Sequence, residues 1–162
     1  MLKNIFKFLV LLSLFTLSCN NITDKESINF SGITLEKENF DLEEFKGFPV
    51  IINFWYPSCP PCVKEIPNLV ESLKKNPNKI KVLGVLHNSP FDSEDTAKEL
   101  LENFNADYIN VFDQDGKIEN QFSIKVFPTS IFLNHEHQIT KEWSGYLDKK
   151  KLEELIKEIT IQ

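Results

Sequence analysis

Cys59-Pro60-Pro61-Cys62 joins two segments of different hydrophobic period, and that junction restricts the fold more than any other feature of the chain. Upstream, Pro49-Val50-Ile51-Ile52-Asn53-Phe54 is an apolar run of strand length and reads as a buried β-strand. Downstream, Val63 to Lys75 carries its apolar residues at helical spacing. Two thiols three positions apart, in the first turn of a helix that follows a strand, form a dithiol that can open and close. A helix N-terminus presents unpaired N–H groups and a partial positive charge, and both favour a thiolate at Cys59. Pro60 and Pro61 suit that first turn, where a missing N–H leaves no bond unmade and the fixed φ is already helical.

The third and last cysteine has a separate explanation. Lys3 and Lys7 flank the start of an apolar run, Ile5 to Leu17, which leads to Leu17-Ser18-Cys19. A short positive region, an apolar core and small residues make a bacterial secretion signal. The run falls short of the roughly 20 apolar residues of a membrane-spanning helix, so an uncleaved anchor is the weaker reading. Cys19 resembles the cysteine of a lipobox, lipidated and first in the mature chain, although Thr16 replaces the usual aliphatic residue. The expected organisation is a signal peptide over 1–18, a lipidated Cys19 and polar tether over 19–27, and one domain over 28–162. Cleavage without lipid is the other outcome.

One cysteine for an anchor and two for chemistry leave none for a disulfide framework. A mature chain of about 140 residues holds a real core without such staples. Every acidic residue lies after Cys19, so the mature domain is more acidic than the formal charge of −6. The chain has no arginine and its lysines are scattered, which argues against a nucleic-acid partner.

Along the domain, Ile28 to Leu35 suggests a short strand or hairpin with Ser31-Gly32 as its turn, and Phe40 to Gly47 a helical turn closed by glycine. Pro67 should kink the long helix, and Asn76-Pro77-Asn78 ends it. Ile80 to Leu86 and Tyr108 to Phe112 read as strands, separated by a helix that Asp92-Ser93 can cap and that runs to about Phe104. A short helical turn over Ile118 to Phe122, strands at Ser130 to Leu133 and Ile139 to Trp143, and an amphipathic helix from Leu147 to Ile161 follow. This β-α-β-α-β order, then a hairpin and a helix, fits an α/β fold: a central mixed sheet with helices on both faces.

Several stretches together carry a family resemblance: Lys46-Gly47 with Val50 to Trp55, the dithiol with Glu65 and Pro67, Val82-Leu83-Gly84-Val85, Phe112 to Gly116, Phe127 to Leu133, and Trp143-Ser144-Gly145. The chain resembles the TlpA/ResA-type thioredoxin-like proteins, membrane-tethered extracytoplasmic thiol–disulfide oxidoreductases, over about Ile28 to Ile159. The resemblance implies a thioredoxin-like fold with an N-terminal extension and an inserted helix around Thr96 to Phe104. It implies no cofactor, and a reductant whose electrons come from a membrane shuttle of the DsbD/CcdA type. Disulfides of exported proteins, apocytochrome c among them, are the implied substrates. Ser58 departs from the family, which often has a second aromatic residue directly before the first cysteine, and Phe127 is bulky for the position before the proline.

Cys59 is expected to be the exposed attacking thiol and Cys62, one turn inward, the resolving one. The family places a buried acid at the position of Glu65, tuning the cysteines and relaying protons; the plain alternative is a solvated helix acid. Pro128 is implied to be cis, presenting the backbone of Phe127 to a bound peptide. Trp55 reads equally as a substrate contact, with Tyr56, or as core. A zinc site would need a second ligand pair, for which His135 and His137 are available, but histidines in a polar hairpin turn are usually solvated; no metal is expected. A structural disulfide across so small a loop would stabilise little. His87 follows a strand and is read as a loop histidine without a role. The copper-chaperone spacing and a peroxiredoxin's Pro/Thr-rich cysteine loop are not present. Two other readings remain: an oxidase or isomerase using the same residues at a different potential, and, more distantly, a metal carrier.

Overall fold

The structure, a computed structural model, describes residues 26–161. The signal peptide, Cys19 and all but the end of the polar tether lie outside the described residues. The elements are β1 (Ser31–Ile33), β2 (Asn39–Asp41), a 3-10 turn (Leu42–Phe45), β3 (Val50–Trp55), α1 (Pro60–Lys75), β4 (Lys81–His87), α2 (Glu94–Asn103), β5 (Asn110–Asp113), α3 (Lys117–Gln121), β6 (Thr129–Leu133), β7 (Ile139–Ser144) and α4 (Lys149–Ile161).

The main sheet has the order β5-β4-β3-β6-β7. β4 lies parallel to both β3 and β5, whereas β6 is antiparallel to β3 and β7. The central position of β3 explains why it is apolar at every position but Asn53, since all six of its residues are buried. Its alternation sorts them between two cores. Ile51 and Trp55 join the residues of α1, α2 and α4 on one face. Val50, Ile52 and Phe54 join Ile118 of α3, Phe40, Leu42 and Phe45 on the other. This is the thioredoxin-like arrangement the resemblance implies, with the β1–β2 hairpin and its 3-10 turn as the N-terminal extension. The helix expected near Thr96 to Phe104 is the crossover from β4 to β5, capped by Ser93, whose Oγ accepts from Thr96 N at 3.1 Å.

The hairpin corrects one expectation. Ser31 and Gly32 are strand residues paired with Asp41 and Phe40, and the turn lies at Thr34 to Glu38, with Lys37 at a φ of 67°. Gly32 serves close packing instead: a Cβ there would lie 3.2 Å from Val111 Cβ. The helix α1 runs through Pro67 as one element. Among the described residues no helix is long and apolar enough to cross a membrane.

Candidate active site

Strand β3 ends at Trp55 and the chain turns over Tyr56-Pro57-Ser58 into α1, so the dithiol sits at the C-terminal end of the central strand. Cys59 is the N-cap of α1, with Pro60 and Pro61 opening the helix. Its Sγ accepts a hydrogen bond from Cys62 N at 3.3 Å, the donor that a thiolate would use at a helix start. Cys59 and Cys62 are joined by a disulfide. Cys59 is only 2% exposed, less open than the sequence reading expects, and Cys62 is fully buried. Tyr56 and Phe127 are among the partly buried side chains packed against the core cluster that holds both cysteines.

Glu65 lies three residues beyond Cys62 on α1, one turn along nearly the same face. It is 1% exposed. One carboxyl oxygen accepts from Asn53 Nδ2 at 2.7 Å and the other from the backbone N–H of Leu147 at 2.8 Å. Burial raises its pKa from 4.5 to about 7, against the lowering effect of those two donors. The Asn53 amide also donates to Ser130 Oγ at 3.1 Å, tying β3, α1 and β6 together beneath the disulfide. Asn53 Oδ1 has no partner there. An acid that titrates near neutrality beside a resolving cysteine can give or take the proton of thiol–disulfide exchange.

Trp55 requires a correction. It is 0% exposed, and its indole Nε1 donates to Asn110 Oδ1 at 3.0 Å inside the core. A side chain so enclosed offers no surface to a substrate. Its place on the α1 side follows from the strand alternation that also places Ile51 there. Gly84 on β4 makes room for this bond, since a Cβ would lie 1.7 Å from Asn110 Oδ1.

The Phe127–Pro128 peptide bond is cis. Thr129 pairs with Phe54 across β3 and β6, so Pro128 arrives at the end of β3 that leads into the dithiol. Three rings meet beside it: Phe127 and Tyr56 at 5.3 Å between centroids, Phe127 and His87 at 4.8 Å, and Tyr56 and His87 at 5.6 Å. His87 Nδ1 lies 2.9 Å from the carboxylate of Glu119. His87 therefore lies beside the site as the last residue of β4, where the sequence reading has a loop histidine; its position after a buried strand was the available signal.

The other two histidines do not join it. His137, read as solvated, is 1% exposed, at a φ of 59°, with Nε2 3.2 Å from the carbonyl oxygen of Phe45. Among the described residues no three His, Cys, Asp or Glu side chains form a metal-binding group.

Comparison with known proteins agrees with this geometry. The AhpC/TSA family model matches residues 23–142. Thiol-disulfide oxidoreductase ResA of Bacillus thuringiensis subsp. konkukian (strain 97-27) is 29% identical over 136 residues, covering 84% of this chain and 78% of that protein. The crystal structure of StoA from Bacillus subtilis superposes with a TM-score of 0.67 at 26% identity, covering 81% of this chain and 98% of StoA. The exposed lipoprotein thioredoxin of Streptococcus pneumoniae strain TIGR4 shares the fold, with a TM-score of 0.70 at 22% identity over 81% of this chain and 99% of its own.

Proposed function

The chain belongs to the AhpC/TSA family and is a thioredoxin-like thiol–disulfide oxidoreductase, and from that premise we propose that it works outside the cytoplasm as a membrane-tethered reductant of disulfides in exported proteins. Cys59 thiolate attacks one sulfur of a substrate disulfide, forming a mixed disulfide and releasing the other substrate sulfur as a thiolate that takes up a proton. Cys62, deprotonated, then attacks Cys59 Sγ. The second substrate thiolate leaves, and Cys59–Cys62 is oxidised as two electrons pass to the substrate. A membrane dithiol shuttle of the DsbD/CcdA type returns the electrons by the same exchange in reverse. Phe127 and Pro128 hold the substrate backbone beside Cys59. Residues 1–18 export the chain and lipid on Cys19 holds it at the membrane; apocytochrome c is one substrate of the right class.

The observation that carries the reductant reading is the burial of Glu65. A carboxyl enclosed one turn from Cys62 disfavours a second negative charge and so opposes the thiolate that a helix start stabilises. Strong oxidants of this chemistry have stabilised reduced forms with low thiol pKa values. Glu65 works in the other direction and keeps the disulfide form favourable.

The test is the equilibrium reduction potential of Cys59–Cys62 against dithiothreitol and glutathione buffers. A value near or below about −270 mV, that of thioredoxin, supports a reductant fed by a membrane donor. A value near about −120 mV, that of DsbA, makes the protein an oxidant using the same residues and overturns the proposal.

A further inference from the structure

The loop between β4 and α2 leaves the sheet beside the end of β3 that leads into the dithiol. Asp92 Oδ2 accepts a hydrogen bond from Ser58 Oγ at 2.7 Å, so this loop is fastened to the residue directly before Cys59. The residue before Asp92 is Phe91, and it is 87% exposed, more than any other large apolar side chain among the described residues. The loop is shaped rather than extended: Ser89 is buried, and its Oγ accepts from Phe91 N at 3.2 Å. Phe91 and Cys59 are thus separated by two Cα steps of about 3.8 Å each, two short side chains and one hydrogen bond. That is within the span of about five residues of extended chain.

One exposed apolar residue is ordinary on a protein surface; what sets Phe91 apart is that its neighbour Asp92 is bonded to the residue directly before Cys59. Ser58 is small and polar where an aromatic residue beside the first cysteine would give a substrate something to rest on. The loop supplies that ring from elsewhere in the chain and uses Ser58 as the attachment point. The same loop starts from His87, whose ring is in contact with Tyr56 and Phe127. A peptide held at Cys59 therefore has Phe91 within reach, a few residues along its chain.

We infer that Phe91 is a specificity-determining contact of the active site, held there by the Ser58–Asp92 hydrogen bond, and that it selects polypeptide disulfides with an apolar side chain within a few residues of the attacked cysteine. The occupant is an extended segment of an unfolded or loosely folded protein, because the surface continues the site where the dithiol acts. This rests on the proposed reductase reading.

The test uses the reduced protein and two disulfide-linked peptides that differ only in the residues flanking the cysteine, leucine and phenylalanine in one, serine and asparagine in the other. Covering even a quarter of an aromatic ring changes affinity by close to tenfold, so the wild type should favour the apolar peptide by about that factor in kcat/KM. Phe91→Ala should bring the ratio of the two kcat/KM values near unity, and Phe91→Leu should retain most of it. Ser58→Ala, which cuts the hook and leaves the ring, should lower the ratio part of the way. Equal turnover of both peptides by the wild type, or a preference that survives Phe91→Ala, overturns this inference and leaves the reductase standing. So does a dimer seen by sedimentation that Phe91→Ala disperses, since the ring would then serve a second copy. A wild type that reduces neither peptide removes the reductase reading and this inference together.

Discussion

Replacing Glu65 by glutamine isolates the charge that the fold encloses beneath its disulfide. In the oxidised protein burial raises the carboxyl from 4.5 to about 7. The unfolded chain therefore releases this proton about two and a half pH units earlier than the native one, and each unit is worth about 1.4 kcal/mol. Below pH 4.5 both states hold the proton and Glu65 carries no penalty. As pH rises towards 7 the unfolded state is favoured progressively, and above 7 both states ionise and the loss is complete, at about 3 kcal/mol in total. Most of that, about 2–3 kcal/mol, falls between pH 5 and pH 8.5. Glutamine cannot ionise. It meets the donors of Asn53 and Leu147 with one oxygen instead of two, so it adds an offset that does not change with pH. The measurement is urea unfolding of oxidised wild type and Glu65→Gln at both pH values. Other titrating groups cancel in the difference, which should move by about 2–3 kcal/mol in favour of glutamine on going from pH 5 to pH 8.5. A difference that stays constant to within about 0.5 kcal/mol would mean that Glu65 keeps an ordinary carboxylate pKa inside the fold, and the proton-exchange role argued for it would go with that result.

Three further outcomes follow from the same geometry. Cys62→Ser should leave Cys59 able to form a mixed disulfide but not to release it, so a substrate adduct accumulates on non-reducing gels, whereas Cys59→Ser should form none and lose reductase turnover; an adduct on Cys59→Ser would reverse the two roles. Gly84→Ala places a Cβ 1.7 Å from Asn110 Oδ1, which breaks the buried Trp55–Asn110 bond and should destabilise the protein by about 3 kcal/mol, read by urea unfolding; a loss below about 1 kcal/mol would show that β4 and β5 can separate at that point. Ile66→Ala, under the fully enclosed face of α1, should destabilise by about 2–5 kcal/mol through the cavity it leaves, with a lowered urea midpoint as the readout.

How far the sequence alone reaches depends on whether a residue's surroundings repeat along the chain. The elements of the main sheet were legible because burial imposes a period: β3 is buried throughout and apolar but for Asn53, as suits a strand with neighbours on both sides, and α1 and α4 carry apolar stripes. The dithiol and Glu65 could be placed for the same reason, being fixed by strand end and helix turn. The β1–β2 turn could not be placed that way. Gly32 looks like a turn residue, but its glycine is needed for close contact with Val111, and the positive φ falls on Lys37. Trp55 shows the limit at a strand's end, where alternation says which face a side chain takes but not whether that face is still covered; the covering comes from Asn110 and the groove over Gly84, more than twenty residues away.

The substrate rim lies wholly beyond that kind of reading. His87 gains its surroundings from Tyr56, Phe127 and Glu119, and Ser58 its partner from Asp92, contacts that span between 31 and 40 residues of chain. None of these contacts follows from a periodic pattern: His87 closes β4 and Glu119 lies in α3, while Tyr56, Ser58, Asp92 and Phe127 lie in the connections between elements. Their convergence is set by the sheet order, which brings the ends of β3, β4 and the approach to β6 to one edge of the molecule. The scaffold that holds the two cysteines is therefore written in periodicity, whereas the side chains gathered beside them are brought together by topology. On the inference drawn for Phe91, a small residue at Ser58 leaves the site with a ring all the same, because the same edge gathers a loop that Asp92 attaches.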